Sequence, residues 1–421
     1  MLTNKSSRSN RTLLYLTVIA SAIIICCYLL EAKLHSAPFL FQDPEVRLPL
    51  LKRKTNATTT KAKQSLVITG PLEKSFITLV ANYVHNGSNQ LPRTDCQPLQ
   101  RVVYTKTYKT GSTTLATILE RYAYLRNLDL ALPPLEGNHV LADYCLFQAS
   151  MTIKIKNRRK TDFNILVHHV RYNREQMDIA VPHAKYISII RHPVAQLESF
   201  FGYFEVAWRL HINTSNPFET FMSNVEEFYA KRNYLQWQRT RNGQLYDLGF
   251  DHRYDENLPK IKEKIKELAA EIDLMMINEY YDESLILLRK LMCWEYEDIL
   301  YISKTIRSKS HRFPMTEEIE QRIRSWNAGD IMLYDHFNQT FWKKVQEYGN
   351  NFSQDLAHFR ALQQNVKDQC IKKNATNKED QREDKFVLKP NASTFCVDLL
   401  RGDIPYTRLL KETMIKRYQR R

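Results

Sequence analysis

Four short apolar runs alternate with helical stretches beyond Arg101, and this alternation constrains the fold more than any other feature. The runs are Val102–Thr105, Phe163–Val167, Tyr186–Ile190 and Leu274–Ile277. None of them contains a charged residue, and the last follows the strongly periodic helical segment LPKIKEKIKELAAEI. Strands that alternate with helices predict an α/β fold with a mostly parallel sheet flanked by helices. Ligands bind such sheets at the carboxyl ends of the strands, so the residues that follow each strand form the candidate site.

The N-terminal segment is expected to anchor the chain in a membrane. Leu13–Leu30 is uncharged over about 18 residues, which is near the minimum length that spans a hydrocarbon core. Lys5, Arg8 and Arg11 precede this run. The positive-inside tendency therefore places the N-terminal tail in the cytosol and everything beyond the run in a lumen. A cleaved signal peptide is the alternative, although the run exceeds the usual length of its apolar core.

The remaining chain divides into two parts. Residues 31–100 mix Pro, Thr, Asn and Lys, and the piece KRKTNATTTKAKQS within them is typical of a solvated stem. Residues 101–421 are expected to form the globular domain, while residues 1–12 and 13–30 form the cytosolic tail and the signal-anchor. The basic C-terminal segment Lys416–Arg421 is interpreted as a solvated tail rather than a contact with nucleic acid.

Sequons and cysteines agree with a lumenal location. The N-x-[ST] sequons beyond the apolar run begin at Asn56, Asn86, Asn213, Asn338, Asn351, Asn374 and Asn391. The cysteines beyond the run are Cys96, Cys145, Cys293, Cys370 and Cys396. In an oxidising compartment some of these cysteines are expected to pair, and their odd number leaves at least one unpaired within the chain. No cysteine or histidine group has the spacing of a zinc site, so we expect no metal.

The first strand leads directly into a loop suited to an anion. The sequence KTYKTGSTTLATILERYAYL places Gly111 at a tight turn before a helix that runs to about Leu125. A helix N-terminus offers unpaired N–H groups and a partial positive charge, and Lys109 adds a full charge one turn earlier. The hydroxyl groups of Ser112, Thr113 and Thr114 add further donors. The spacing of a Walker P-loop is absent, and an ordinary Ser/Thr helix cap is the alternative interpretation.

A second anion loop follows the third strand. Arg191 comes directly after the run, and Pro193 suits the first turn of a helix. Ser199 lies two helical turns beyond Arg191, so both side chains are able to contact one phosphate. The spacing of Arg191, Pro193 and Ser199 is weakly specific by itself. It gains weight because this loop comes after the Lys109 loop in the chain and each loop follows its own strand.

These two loops resemble the donor-binding loops of sulfotransferases, and the chain as a whole resembles the galactose 3-O-sulfotransferase family, which includes galactosylceramide sulfotransferase. The blocks that carry the resemblance are KTYKTGSTTLATILERYAYLRNL, HHVRYN, ISIIRHPVAQLESFFGYF, LYDLGFD, DLMMINEYYDESLILLRKLMCW and LYDHFNQTFW. The resemblance implies a P-loop-like sulfotransferase fold and the donor 3′-phosphoadenosine 5′-phosphosulfate, without a metal. It also implies that Lys109, Thr110, Gly111, Ser112, Thr113 and Thr114 hold the 5′-phosphosulfate of the donor. Arg191 and Ser199 then hold its 3′-phosphate.

The same resemblance suggests which residues catalyse the transfer. Lys109 is expected to stabilise charge on the bridging oxygen of the donor. His169 is the candidate base, because it matches the histidine of the family motif H-x-R-[FY] and follows a predicted strand. His168 is the alternative base, because consecutive strand residues point to opposite faces.

Other polar and aromatic residues in or near these blocks are candidates for contact with a substrate, and most of them also have a structural interpretation. Arg171 either orients a substrate or forms a surface ion pair. Glu279 and Asp282 either contact a sugar or, for Asp282, cap a helix. Trp294 and Trp326 are more readily explained by core packing than by stacking on a sugar.

Two positions depart from the family pattern. The family commonly has His where this chain has Tyr108, which puts in doubt any role of that histidine here. It commonly has Asp where His192 follows Arg191, beside the expected phosphate site.

The resemblance implies a Golgi membrane enzyme, single-pass and type II, that sulfates the 3-hydroxyl of a terminal galactose in glycolipids or glycoprotein glycans. The formal net charge of +15 agrees with anionic partners but does not choose among them. Three alternatives remain: a lumenal sulfotransferase for another glycan such as a glycosaminoglycan, a nucleotide-dependent kinase, and a non-enzymatic glycoprotein that binds polyanions. The kinase lacks an obvious pair of carboxylates for Mg²⁺.

Overall fold

The computed structural model describes residues 96–134, 140–232, 236–303, 311–372 and 386–419. The cytosolic tail, the signal-anchor and nearly all of the stem lie outside these residues, as do the sequons at Asn56, Asn86 and Asn374. Among the described residues, no helix combines the length and the apolar character that crossing a bilayer requires.

The sheet is the centre of the described domain. Its strands, and those of a smaller second sheet, are β1 (Val102–Thr105), β2 (Val140–Leu146), β3 (Ile165–Leu166), β4 (His169–Arg171), β5 (Lys185–Ile190) and β6 (Leu274–Ile277). The main sheet has the order β3-β1-β5-β6, and each of its described pairings is parallel. The second sheet is the parallel pair β2 and β4. The predicted α/β class with a mostly parallel sheet is confirmed.

The helices of the described residues follow in chain order. They are α1 (Ser112–Leu125), α2 (Arg174–Ala180), α3 (Pro193–Tyr203), α4 (Val206–Arg209), α5 (Pro217–Ser223), α6 (Val225–Lys231), α7 (Gly243–Asp247), α8 (Leu258–Glu271), α9 (Tyr281–Met292), α10 (Tyr296–Ile299), α11 (Glu317–Trp326), α12 (Ala328–Tyr348), α13 (Phe352–Cys370), α14 (Thr394–Leu400) and α15 (Asp403–Gln419). Short 3₁₀ turns lie at Ala149–Met151, Trp237–Thr240, His252–Tyr254 and Asn278–Tyr280.

The order of the strands puts a topological switch point between β1 and β5. Val102 of β1 is opposite Ile165 of β3 on one side and opposite Lys185 of β5 on the other. After β1 the next strand of the main sheet is β3, at one edge, whereas after β5 it is β6, at the opposite edge. In open parallel sheets such a switch point is where ligands bind.

Burial explains why the predicted runs form strands. Val102, Val103 and Tyr104 are fully buried, and all four residues of β6 are buried as well. The run predicted over Phe163–Val167 forms a strand only at Ile165–Leu166, because only these two residues pair with β1. Strands β2 and β4 were not predicted from the sequence.

An aromatic cluster holds α3 in place. Phe200 and Phe201 of α3 are buried, and Phe201 packs against Phe218 and Phe221 of α5 at ring-centroid distances of 5.0 and 5.2 Å. Ile323 of α11 is buried in the same cluster. Helix α3 begins at Pro193, as predicted, so this packing also fixes the residues just before it.

Two disulfides cross-link the domain. Cys96 pairs with Cys293, and Cys370 pairs with Cys396. Cys145 in β2 forms no disulfide. The structure thus contains the expected pairing among the cysteines beyond the apolar run, with one left over.

Candidate active site

The loop after β1 presents the N-terminus of α1. Gly111 is the N-cap residue, with a φ of 77° in the left-handed region, and no side chain caps the helix. The first turn, which holds Ser112, Thr113 and Thr114, contains no acidic residue. The backbone N–H groups at the helix N-terminus and the helix dipole therefore favour an anion at this point.

Close packing explains the glycine at this turn. The side-chain amide of Asn278 donates to the Thr110 carbonyl at 2.9 Å, and a Cβ atom on Gly111 would collide with that amide. The Tyr281 ring also lies within 3.3 Å of where this Cβ would be. The residues just after β6 thus support the loop after β1.

Lys109 adopts an unusual backbone conformation. Its φ is 60°, in the left-handed region that residues other than glycine rarely adopt. Its ammonium group lies 3.6 Å from the centre of the Tyr203 ring, at the end of α3. A cation over an aromatic face is stabilised by about 0.5–2 kcal/mol.

The second loop is held by Gln244 of α7. The Gln244 side chain accepts a hydrogen bond from the Arg191 N–H and donates one to the Arg191 carbonyl, both at 2.8 Å. Ser199 lies further along α3 and is 9% exposed. The backbone of Arg191 is therefore fixed where β5 ends.

A direct contact joins the two loops. Nη1 of Arg191 donates to the Lys109 carbonyl at 3.3 Å. Because β1 and β5 are parallel neighbours, both loops leave the sheet at its carboxyl edge. The structure thus brings the two predicted anion loops into contact at one edge of the sheet.

His169 lies within a strand rather than after one. It is the first residue of β4, and its Nδ1 lies 3.1 Å from the Lys106 carbonyl. Since a carbonyl oxygen only accepts, Nδ1 carries the proton in this pair and Nε2 carries the lone pair. The His169 ring stacks on the Tyr108 ring at 4.0 Å, with an angle of 15° between their planes.

His168 points into a different environment. Its Nε2 lies 2.8 Å from the Thr407 hydroxyl of α15, and the residue is 3% exposed. The same hydroxyl lies 3.2 Å from Glu120 of α1. His168 therefore belongs to the contact between α1 and α15, whereas His169 contacts Lys106 and Tyr108.

Arg171 is neither a surface ion pair nor an exposed substrate contact. It is 9% exposed, and its guanidinium donates to the carbonyls of Tyr246 and Phe250 at 3.0 and 2.7 Å. Arg171 therefore fixes the end of α7 against β4.

The two acidic residues after β6 have partners within the protein. Glu279 accepts from the His192 N–H at 2.9 Å and from the Tyr334 hydroxyl at 3.3 Å. Asp282 accepts from the Tyr301 hydroxyl at 2.9 Å and from Arg360 at 3.0 Å. These bonds give both carboxylates a structural role.

The two tryptophans pack in the interior. Trp294 stacks on Tyr122 at 3.9 Å and donates to the Leu99 carbonyl. Trp326 donates to the Thr240 carbonyl at 2.8 Å and is 7% exposed. Core packing is the better interpretation of both.

His192, where the family pattern has Asp, lies beside the second loop. Its ring meets the Tyr334 ring edge-on at 5.2 Å. Burial, followed by the nearby positive charge of Arg324, lowers the pKa of His192 below its ordinary value. The neutral imidazole is therefore favoured beside the second loop.

A buried charge cluster that bonds to Tyr108, the residue before Lys109, was not predicted from the sequence. Arg239 donates to Asp143 and to Asp247, each at 2.7 Å, and all three side chains are at most 2% exposed. Burial raises the pKa of Asp247 to about 6, although Arg239 opposes this shift. Among the described residues, no group of three or more His, Cys, Asp or Glu side chains is arranged to hold a metal ion.

Comparison with known proteins identifies related sequences. A family model described as galactose-3-O-sulfotransferase matches residues 16–410. Galactosylceramide sulfotransferase of Bos taurus is 33% identical over 282 residues, which are 66% of this chain and 65% of that protein. Galactose-3-O-sulfotransferase 2 of Mus musculus is 29% identical over 294 residues, which are 68% of this chain and 74% of that protein. The chain thus spans slightly under two thirds of the galactosylceramide sulfotransferase that it matches.

Among solved structures, a sulfotransferase from Alicyclobacillus acidocaldarius aligns with 58% of this chain and 96% of its own. The identity is 13% and the TM-score is 0.32, which is too low to support an argument about the fold.

Proposed function

Since the chain belongs to the galactose-3-O-sulfotransferase family, we propose that it transfers a sulfonate group from 3′-phosphoadenosine 5′-phosphosulfate to the 3-hydroxyl of a galactose residue in glycolipids or glycoprotein glycans. The observation that most supports this proposal is the 3.3 Å contact between Arg191 and the Lys109 carbonyl. This contact joins the loop after β1 to the loop after β5, which supports a donor that carries one phosphate on the 5′ carbon and another on the 3′ carbon of its ribose.

The residues of the first loop fit the 5′-phosphosulfate. The N-terminus of α1 has no side-chain cap and no acidic residue in its first turn, so its N–H groups suit an anion. Gly111 allows the backbone to approach closely. Lys109 to Thr114 would hold this end of the donor, and charge-assisted hydrogen bonds contribute about 1.5–3 kcal/mol each.

The residues of the second loop fit the 3′-phosphate. Gln244 fixes the backbone of Arg191, and the aromatic cluster fixes α3, which carries Ser199. Arg191 and Ser199 would therefore approach the phosphate on rigid elements. A fixed geometry lowers the entropy lost on binding.

His169 is the base in this proposal. Its Nδ1 donates to the Lys106 carbonyl, so Nε2 is the basic nitrogen of the neutral ring. His168 is bonded to Thr407 on α15 instead. This difference favours His169 over His168.

The transfer follows from these roles. The acceptor oxygen attacks the sulfur atom while its proton passes to Nε2 of His169. The new O–S bond forms as the S–O bond to the 5′-phosphate breaks, which releases adenosine 3′,5′-bisphosphate. Lys109 stabilises the negative charge that grows on the departing phosphate oxygen, and such electrostatic stabilisation is often the largest part of catalysis.

The proposal extends to location. We propose a Golgi membrane location, with a single N-terminal segment at residues 13–30 that would hold the catalytic domain in the lumen as a type II membrane protein. The disulfides Cys96–Cys293 and Cys370–Cys396 agree with an oxidising compartment.

The proposal is tested with the full-length chain in detergent micelles. Purified protein and donor labelled in its sulfonate group are incubated with galactosylceramide, with β-galactosides of N- and O-glycan type, and with a glycosaminoglycan. We expect labelled sulfate on the 3-hydroxyl of galactose, without added metal. Transfer only to the glycosaminoglycan, or binding of polyanions without transfer, would contradict the proposal.

A further inference from the structure

Tyr108 is held at three separate points. Its N–H donates to Asp247 at 2.9 Å, and its hydroxyl donates to Asp143 at 3.0 Å. Its carbonyl accepts from the Gln196 side chain at 3.0 Å. Both the backbone and the ring of Tyr108 are therefore fixed.

A single arginine joins the two carboxylates. Nε of Arg239 donates to Asp247, while Nη2 donates to Asp143, and the side chain of Arg239 is 1% exposed. Its guanidinium also lies 4.3 Å from the centre of the Tyr108 ring. A buried charge is stable only when it is paired, so the arginine and the two carboxylates depend on one another.

The two sides of Tyr108 meet the two proposed catalytic residues. Its ring stacks on the His169 ring at 4.0 Å, and its carbonyl carbon leads into Lys109, whose φ is 60°. Such a backbone conformation costs of the order of 1 kcal/mol or more and persists only where neighbouring contacts hold it. The bonds to Tyr108, and that of Arg191 to the Lys109 carbonyl, are such contacts.

We infer that Arg239, Asp143 and Asp247, called here the Arg239 cluster, position Lys109 and His169 through Tyr108 for donor binding and transfer. Its residues are positioning residues, since no contact with the reacting atoms is assigned to them. The inference rests on the function proposed above, because it assigns the donor to Lys109 and the proton to His169.

The chain offers a matched control in Tyr122. This residue is 1% exposed, donates its hydroxyl to the Leu99 carbonyl at 3.0 Å and stacks on Trp294 at 3.9 Å. Tyr122 thus shares two features with Tyr108, a hydrogen bond donated by its hydroxyl and a stacked ring, but its hydroxyl bond is part-buried and goes to a carbonyl. It lies near the C-terminal end of α1, far along the helix from Gly111.

The test compares Tyr108→Phe with Tyr122→Phe in the full-length chain. Each variant loses one hydrogen bond donated by a tyrosine hydroxyl and keeps its ring, which avoids the unfolding expected when Arg239 is removed. We expect Tyr108→Phe to weaken the binding of adenosine 3′,5′-bisphosphate in calorimetry and to lower kcat for transfer, each about tenfold. Tyr122→Phe is expected to lower the thermal midpoint by about as much as Tyr108→Phe does. It is expected to leave nucleotide affinity and kcat within about twofold of the wild type.

A double-mutant cycle separates positioning from simple loss of stability. Asp143→Asn keeps an acceptor for Tyr108 but removes the charge that pairs with Arg239. If the residues act as one unit, Tyr108→Phe combined with Asp143→Asn lowers kcat no further than the more severe single change. Strictly additive effects, or equal nucleotide affinity and kcat in the two Tyr→Phe variants, would overturn the inference.

Failure of the proposed function gives a different result. Wild-type protein that binds the nucleotide but transfers nothing to galactosides contradicts the acceptor assignment alone, and the affinities of the two Tyr→Phe variants still decide the role of the Arg239 cluster. Wild-type protein that does not bind the nucleotide contradicts both.

Discussion

His169 and His168 are adjacent, yet their rings lie in separate hydrogen-bonded environments. His169 contacts the Lys106 carbonyl and the Tyr108 ring, beside the loop that carries Lys109. His168 contacts Thr407 of α15. The alternation of side chains along an extended chain explains the difference, and it makes the two histidines a natural pair for mutation.

The base is tested by His169→Asn. The asparagine amide is able to replace Nδ1 as the donor to the Lys106 carbonyl, so the change removes chiefly the lone pair of Nε2. We expect kcat for sulfonate transfer to fall by about 10²–10⁴-fold, the usual contribution of general-base catalysis. Affinity for adenosine 3′,5′-bisphosphate is expected to stay within a few fold.

His168→Asn serves as the control for that change. It disturbs the contact with Thr407 and is expected to lower the thermal midpoint, while kcat falls by less than about tenfold. A larger loss of kcat in His168→Asn than in His169→Asn would reverse the assignment of the base.

Asp255 gives a prediction for pH. It is 8% exposed and accepts from Tyr229 and from Asn242, each at 3.2 Å. Burial raises the pKa of Asp255 from its ordinary 3.8 to about 7. The folded chain therefore binds a proton between about pH 4 and pH 7 that the unfolded chain releases, so the stability due to this group is greatest at acid pH and decreases as the pH rises through that window.

Asp255→Asn removes this dependence. The free energy of unfolding of the wild type, relative to the variant, is expected to fall between pH 5 and pH 7 by up to about 1.4 kcal/mol per pH unit. Urea unfolding at pH 5, 6, 7 and 8 measures this difference. Asp251→Asn is the control, because Arg253 lowers the pKa of Asp251 and its charge does not change over this range. Parallel curves for the wild type and Asp255→Asn would show that Asp255 stays ionised.

The loop between β1 and α1 is the element on which donor binding depends, and Gly111→Ala tests it. The alanine would place a Cβ against the Asn278 side chain while the backbone keeps a φ of 77°. We expect loss of at least tenfold in nucleotide affinity, measured by calorimetry, and a stability loss of about 1 kcal/mol or more.

Gly349→Ala is the matched control for the strained backbone. Gly349 follows α12 with a φ of 92°, and a Cβ there meets nothing within 4 Å. This variant is expected to lose stability without losing nucleotide affinity. Equal affinities in the two variants would mean that the Gly111 turn does not contact the donor.

The main elements were predictable because their signals are local. The segments VVYT and LMMI became β1 and β6 with the predicted bounds, and Pro193 opens α3 as predicted. Strand β2 was missed because it contains Asp143 and is partly exposed, and its pairing with the three-residue β4 is irregular. No alternating apolar pattern marks such a strand.

The candidate site was predictable to the same extent. Lys109 and Arg191 each follow a strand, so the rule for parallel sheets was enough to place them at one edge. The Arg239 cluster was not predictable, since Asp143 and Arg239 are separated by 96 residues. Asp247 lies in the block LYDLGFD, but nothing in that block indicates the bond to the Tyr108 N–H.

At the scale of the whole molecule, the orientation of the chain across the membrane decides whether the catalytic domain meets its acceptor. Glycans are attached only to segments that enter the lumen, so occupied sequons report on the orientation of the chain. Asn213, Asn351 and Asn391 are exposed and lie outside the helices. Asn338 is within α12, and its side-chain oxygen is buried without a hydrogen-bond partner among the described residues.

We therefore expect glycans on Asn213, Asn351 and Asn391, and little or none on Asn338, when the full-length chain is made in animal cells. Tryptic peptides released by peptide N-glycosidase in ¹⁸O-water show which asparagines were occupied. Residues 13–30 are the segment proposed to direct the chain into the lumen. A chain that lacks them should therefore carry no glycan. Glycosylation of that shortened chain would contradict the anchor, and occupancy of Asn338 alone would mean that exposure in the folded domain does not determine which sequons are used.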